Sequence, residues 1–128
     1  MIYLDTSVAL AHLLGEDRVP PDALWDELLV SSRLLEYEMF TRLHARGLGK
    51  SHSAAARELL ERVALADMSV AVLSRALEPF PVTLRTLDAL HVATLLFLEA
   101  QGQKVQLATY DDRMAEAARK LRVPLVAL

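Results

Sequence analysis

Short apolar runs alternate with helical patterns along the chain. The runs are "MIYL" at the start, followed by "LLVSS", "MSVAVL", "VQLATY" and "VPLVAL". They are apolar or small at most positions rather than at every second position, which is typical of strands buried on both faces. Because helical segments separate these runs, we predict an α/β protein with a three-layer α/β/α fold and a central parallel sheet.

The helical segments carry recognisable start and stop signals. Asp5, Thr6 and Ser7 are good helix caps, and the helix "SVALAHLLG" is predicted to stop at Gly15. The further predicted helices are "ALWDELL", "RLLEYEMFTRLHARG", "SHSAAARELLERVALA", "SRALEPFP", "LRTLDALHVATLLFLEAQG" and "DDRMAEAARKLR". No linker, repeat or low-complexity stretch interrupts this order, so residues 1–128 are predicted to form one domain.

The composition excludes several classes of protein. With 53% hydrophobic and 24% charged residues, the chain is not of the disordered class. It has no cysteine, which excludes disulfides, thiolate metal sites and cysteine nucleophiles and is compatible with a reducing cytosol. The start lacks the basic and apolar regions of a signal peptide, and no uncharged apolar run reaches about 18 residues. We therefore expect a cytoplasmic protein with no membrane partner.

Three aspartates are predicted to meet at one edge of the sheet. Asp5 follows the first strand, Asp111 follows the strand "VQLATY", and Asp88 lies near the start of an otherwise apolar helix. Strand ends and helix starts share an edge in a parallel sheet, and ligands bind there. Each aspartate alone could serve as a helix cap or favour a helix dipole. Together, carboxylates about 4 Å apart repel by roughly 4 kcal/mol, and a cation that prefers oxygen ligands, Mg²⁺ or Mn²⁺, would turn this repulsion into binding.

The helix "RLLEYEMFTRLHAR" offers a fourth acid without identifying it. Both Glu36 and Glu38 lie beside apolar neighbours, and Glu38 could simply pair with Arg42 one turn later. Helical spacing therefore leaves the choice open. His91, one turn after Asp88, is expected to be a buried, hydrogen-bonded histidine rather than a metal ligand.

A local basic segment stands out in a chain whose formal net charge is −3. No carboxylate lies between Glu38 and Glu58, a stretch that contains Arg42, Arg46, Lys50 and Arg57. One interpretation is a solvated helix–turn–helix surface. The other is a surface that contacts RNA phosphates.

Four segments resemble, in order, the motif regions of PIN-domain ribonucleases, and most closely VapC-like toxins of bacterial toxin–antitoxin pairs. They are "MIYLDTSVAL", "SSRLLEYEMFTRL", "TLDALHVATLL" and "ATYDDRMAEAA". The resemblance implies a PIN-like fold, an RNA substrate, a cognate antitoxin protein and a homodimer. One departure is Arg122-Val123 before Pro124, where a glycine often ends the last helix in that family.

The resemblance also implies the site residues. The aspartate followed by Thr or Ser maps to Asp5, and the glutamate four positions before an arginine maps to Glu38 rather than Glu36. The aspartate that heads "DALH" maps to Asp88, and the one after a Thr-Tyr pair maps to Asp111. These four residues are implied to bind Mg²⁺ or Mn²⁺ and to activate water for hydrolysis of an RNA phosphodiester.

Other functions fit less well or need a separate test. Haloacid-dehalogenase-type phosphatases need a second aspartate two residues after the first, where this chain has Ser7. Receiver domains need an acidic pair after the first strand and a lysine beyond a late one, and both are missing here. A non-catalytic α/β binding module, with the acids as helix caps, and an unrelated metal-dependent phosphatase remain as alternatives.

Overall fold

The short apolar runs form one parallel sheet. The computed structural model describes residues 1–128, with strands β1 (Ile2–Leu4), β2 (Leu29–Ser32), β3 (Val63–Ala66) and β4 (Gln106–Ala108). The strand order is β3-β2-β1-β4, and each neighbouring pair is parallel. Strand β1 therefore lies inside the sheet, directly beside β4, although the two strands stand near opposite ends of the chain.

Six α-helices and a short 3₁₀ helix, Asp22–Asp26, connect the strands. The α-helices are α1 (Thr6–Leu14), α2 (Leu34–Ala45), α3 (Gly49–Glu61), α4 (Val70–Ala76), α5 (Thr86–Ala100) and α6 (Asp112–Lys120). Helix α1 ends as predicted at Gly15, whose φ of 60° places it in the left-handed region that favours glycine. None of the helices has the length and apolar character needed to cross a bilayer.

Alternate strand residues point into two separate cores. Ile2, Leu4 and Leu29 belong to a core that also contains side chains of α1, α2 and α3. Tyr3 and Val30 belong to a second core with side chains of α5 and α6. Successive side chains of a strand point to opposite faces, so a strand that is apolar throughout needs helices on both sides. The predicted three-layer α/β/α fold with a parallel sheet is confirmed.

The third strand is not where the sequence pattern places it. The pattern predicts a strand over "MSVAVL", but the residues from Val70 onward form α4. Ser69 caps this helix, because its hydroxyl oxygen accepts a hydrogen bond from the backbone N–H of Val72 at 3.3 Å. The third strand of the chain is instead β3, which lies at the end of the segment "SHSAAARELLERVALA", for which the pattern predicts a helix. All four of its residues pair with β2, a tertiary contact that overrides local helix preference.

The last predicted strand, "VPLVAL", reaches the sheet at only one point. It contributes one parallel bridge, between Leu125 and Leu107 of β4. Before it, Arg122 has a φ of 60°, which makes it the one residue other than glycine in the left-handed region. A side chain with a Cβ costs roughly 1–2 kcal/mol in that region. The turn at Arg122-Val123, where the sequence lacks the glycine common in that family, therefore contains a residue with left-handed backbone.

Candidate active site

All four acids predicted for the site line one cavity of about 980 Å³. Asp5 follows β1, Glu38 lies on α2, Asp88 is in the first turn of α5, and Asp111 stands between β4 and α6. The structure thus brings together carboxylates from four distant parts of the chain. No three acidic or histidine side chains are close enough to form a ready-made metal coordination sphere.

Asp5 is held by hydroxyl groups from two chain segments. Its side chain is buried, with 4% exposure, and its Oδ2 accepts hydrogen bonds from Ser7 Oγ at 2.6 Å and Thr109 Oγ1 at 2.8 Å. Although Asp5 occupies the N-cap position of α1, its side chain makes no capping hydrogen bond. The interpretation of Asp5 as a simple helix cap is therefore wrong, and its carboxylate is fixed where β1 and β4 end side by side.

Asp111 does cap a helix, but through one oxygen. Its Oδ1 accepts a hydrogen bond from the backbone N–H of Met114 in the first turn of α6 at 2.8 Å. Its own backbone N–H donates to Thr109 Oγ1 at 3.0 Å. The same Thr109 hydroxyl that donates to Asp5 thus also holds the Asp111 backbone, which couples the positions of these two acids.

The surroundings of Asp88 oppose its ionisation. Burial raises the pKa of Asp88, and the negative charges of Asp111 and Asp5 raise it further. The positive charge of Arg85, whose Nε lies 4.0 Å from Asp88 Oδ2, and His91 act in the opposite direction. The like charges are thus close enough to oppose ionisation of Asp88, as expected for carboxylates that share one cavity.

Glu38 is oriented by a buried histidine. His91 is only 1% exposed, and its Nε2 lies 2.5 Å from Glu38 Oε1 and 3.3 Å from Thr6 Oγ1. On the other side of the ring, Nδ1 lies 2.7 Å from the Tyr3 hydroxyl. Burial raises the pKa of Tyr3 well above its usual range, so this hydroxyl keeps its proton. An ionised carboxylate can only accept a hydrogen bond, so Nε2 carries a proton and donates it to Glu38.

The prediction that His91 is a buried, hydrogen-bonded histidine is confirmed. The sequence does not reveal that its partners are Glu38 and Tyr3, because both lie on elements remote from α5. The first strand nevertheless contains an indication of such a partner. Tyr3 carries a hydroxyl group in an otherwise apolar strand, and a buried hydroxyl needs a hydrogen-bond partner.

Four arginines line the same cavity as the acids. Arg42 and Arg46 come from the basic segment of α2, as one interpretation of that segment predicts. Arg18 and Arg85 also line the cavity, and the sequence pattern does not point to them. The guanidinium of Arg18 lies 4.8 Å from the centre of the Tyr110 ring. The cavity thus combines guanidinium groups with carboxylates, and two further acids, Glu16 and Asp17, also line it.

The rest of the basic segment does not line the cavity. Arg57 lies 3.6 Å from Glu36 and 4.5 Å from the centre of the Phe40 ring, so its charge is already paired. Lys50 is exposed and lies outside the cavity lining. The two glutamates of α2 therefore have different surroundings. Glu36 pairs with Arg57, and only Glu38 lines the cavity.

The carboxylate set has the chemistry of a magnesium or manganese site. Asp5, Glu38 and Asp111 each make their protein hydrogen bonds through one oxygen, which leaves the other available to a cation. The negative charges of Asp111 and Asp5 contribute to the raised pKa of Asp88, and a divalent cation would offset these charges. Oxygen donors of this type suit Mg²⁺ and Mn²⁺.

Comparison with known proteins agrees with the fold. The family model of the PIN domain matches residues 2–120, so the chain belongs to the PIN-domain family. Among its relatives are three proteins of Mycobacterium tuberculosis. Ribonuclease VapC46 is 36% identical, with 98% of this chain and 96% of that protein covered. Ribonuclease VapC35 is 33% identical over 99% of this chain and 96% of its own length, and ribonuclease VapC47 is 28% identical over 94% and 92%. The resemblance predicted from the four motif segments is confirmed.

Proposed function

We propose that this protein is a metal-dependent endoribonuclease that hydrolyses RNA phosphodiester bonds. The observation that carries the proposal is the convergence of Asp5, Glu38, Asp88 and Asp111 on one cavity that four arginines also line. The names of the relatives, which describe them as ribonucleases, support it. The carboxylates would hold Mg²⁺ or Mn²⁺, which would supply an activated water and stabilise charge on the leaving oxygen.

The chain's own residues have separable roles in this proposal. Asp5, Glu38, Asp88 and Asp111 bind the cation, while Ser7, Thr109 and His91 fix the orientation of the acids. The arginines that line the cavity bind the phosphates of the RNA. Recognition of RNA single strands relies on such charge contacts, with aromatic and guanidinium groups available to stack on bases.

The direct test is cleavage of RNA by the purified protein. We expect labelled single-stranded RNA to be cut in the presence of Mn²⁺ or Mg²⁺ and to stay intact with chelator. A generic phosphodiester such as bis-p-nitrophenyl phosphate should be a much poorer substrate, because it offers no chain of phosphates to the arginines. Equal activity on both would favour an unrelated phosphoesterase. No activity and no stabilisation by metal would favour the non-catalytic binding module.

The arginines make a quantitative prediction about salt. Replacing Arg42 and Arg46 together by Ala should weaken RNA binding, because each arginine that binds a phosphate adds electrostatic affinity. For single strands, the slope of log K against log salt should fall by about 0.7 per arginine, hence by about 1.4 for the pair. Binding is measured by fluorescence anisotropy across a salt series without added metal. The control replaces Lys50 and Arg62, which do not line the cavity, and it should keep the parent's slope. A slope in the Arg42/Arg46 variant equal to the parent's would assign these arginines another role.

The proposal includes a toxin–antitoxin pair as the biological setting, with this protein as the toxin in the cytoplasm. It also includes a cognate antitoxin and a homodimer as protein partners. One surface supports protein partners: Val70, at the start of α4, is 81% exposed, and Leu77, which follows the helix, is 88% exposed. Leu73 is exposed between them, so the three make an apolar stripe at helical spacing.

A further inference from the structure

A second, smaller cavity adjoins the acid-lined one. It has a volume of about 260 Å³ and shares Arg18, Tyr110 and Asp111 with the larger cavity. Its remaining walls come mainly from α6 and the C-terminal segment, and include Ala115, Arg119, Leu125 and Val126. The two cavities are therefore neighbours on the same edge of the sheet, with Tyr110 between Thr109, which orients Asp5, and Asp111.

Arg18 and Tyr110 form the boundary between the two cavities. The Arg18 guanidinium stacks over the Tyr110 ring at 4.8 Å from its centre, and both residues line both cavities. A planar ligand in the smaller cavity would thus find an aromatic ring and a guanidinium at its side. Such groups are the ones on which unpaired nucleobases stack.

The polar groups around the smaller cavity suit the edge of a nucleobase. Arg18 and Arg119 supply hydrogen-bond donors, while Asp111 and Asp112 supply acceptors. A nucleobase edge carries both donors and acceptors and can use both kinds of group. Ala115, Leu125 and Val126 add the apolar surface that a ring needs.

The size of the cavity points the same way. A volume of about 260 Å³ corresponds to roughly nine water molecules at about 30 Å³ each. That number of heavy atoms is similar to the number in a nucleobase.

We infer that the smaller cavity is a base-binding subsite for the nucleotide next to the scissile phosphate. This inference depends on the proposed ribonuclease function. It adds the place in the molecule at which a sequence preference of cleavage would arise. Tyr110 and Arg18 stack on the base, and Arg119 and Asp112 read its polar edge. The phosphate attached to that nucleotide lies in the larger cavity, among the acids and arginines that line it.

The subsite is tested by the sequence pattern of cleavage. A pool of single-stranded RNAs of random sequence is cleaved in Mn²⁺ by the parent protein, and the new ends are sequenced. The parent should show a base preference at positions flanking the cut. Arg119→Ala should reduce the preference at one flanking position by about fivefold or more, as expected when one polar interaction with the base is removed. It should keep the preference at the other positions and the same dependence on Mn²⁺.

Two further variants test whether the change in base preference comes from the smaller cavity. Ala115→Leu fills the smaller cavity from a half-exposed position of α6 and keeps a good helix former, so it should flatten the preference at the same position. Lys120→Ala removes a positive charge from the residue after Arg119. Lys120 lines neither cavity and lies 3.5 Å from Glu116, so the parent's preference should persist.

The outcomes separate this inference from the proposed function. If the parent cleaves the pool but both Arg119→Ala and Ala115→Leu keep its full pattern of preference, the subsite is wrong and the ribonuclease stands. If Arg119→Ala does not fold, Ala115→Leu decides alone. If the parent cleaves no RNA with any metal, the proposed function fails and the subsite fails with it.

Discussion

Asp88→Asn should abolish RNA cleavage and leave the metal-free protein at least as stable as the parent. The variant keeps the shape of the side chain and removes a charge whose ionisation is opposed by burial and by Asp111 and Asp5. A raised pKa in the folded state means that ionisation at neutral pH costs folding free energy, and the amide does not bear this cost. The proposed function makes Asp88 a ligand of the cation, so its replacement should reduce cleavage by more than about 100-fold, since partners of metal ligands alone are worth about 10–100-fold.

The decisive measurement is a set of thermal melts with chelator and with Mn²⁺. At Mn²⁺ about 100 times above its dissociation constant, the parent should gain roughly 2.7 kcal/mol of stability, and Asp88→Asn much less. The control is Asp112→Asn, which removes a carboxylate from the first turn of α6 without touching the larger cavity. It should respond to Mn²⁺ as the parent does. An equal shift of the midpoint in parent and Asp88→Asn would show that Asp88 is not a ligand and would favour the helix-dipole interpretation.

His91→Phe should lower both stability and cleavage. A ring is retained, but Glu38 is left without its donor and the buried Tyr3 hydroxyl without its partner on the histidine ring. Leaving such groups unpaired costs about 1–3 kcal/mol of unfolding free energy. Because Glu38 is then free to turn, cation affinity or cleavage should also fall by about 10–100-fold, the usual effect of removing a partner that orients a ligand.

A structural role and a positioning role can be told apart with Thr94→Val. Thr94 is buried three residues later on the same helix, but its hydroxyl donates to the Leu90 carbonyl at 2.8 Å and makes no hydrogen bond with Glu38. This variant should change stability without changing Mn²⁺ affinity, measured by titration calorimetry. His91→Phe should change both. If its Mn²⁺ affinity equals the parent's, His91 serves packing alone.

The sheet edge that carries the site was predictable because it follows from chain direction. Strands that are apolar or small at most positions indicate a parallel sheet with two helical layers, and such a sheet gathers strand ends and helix starts on one edge. Asp5, Asp88 and Asp111 could therefore be assigned to one place from their position in the chain. Their presence in the lining of a single cavity agrees with that reasoning.

Other features depend on contacts that a linear pattern does not contain. Glu36 and Glu38 both have apolar neighbours on α2, and only the fold shows that Arg57 of α3 approaches Glu36 whereas His91 of α5 approaches Glu38. The β-prone run after Met68 is helical, since Ser69 caps it and β3 already occupies the place beside β2. Arg18 and Arg85 could not be predicted because they lie outside any basic cluster and join the others only in the fold.

The pairing of β1 with β4 sets a time order on the assembly of the site. Ile2 pairs with Gln106, and the Thr109 hydroxyl that donates to Asp5 follows β4, so a growing chain carries Asp5 and Ser7 long before Thr109 is made. At a synthesis rate of about 5–20 residues per second, the delay is roughly 5–20 s. A ribosome making this protein would thus have translated nearly all of the message for residues 1–128 before the four acids can meet in one cavity.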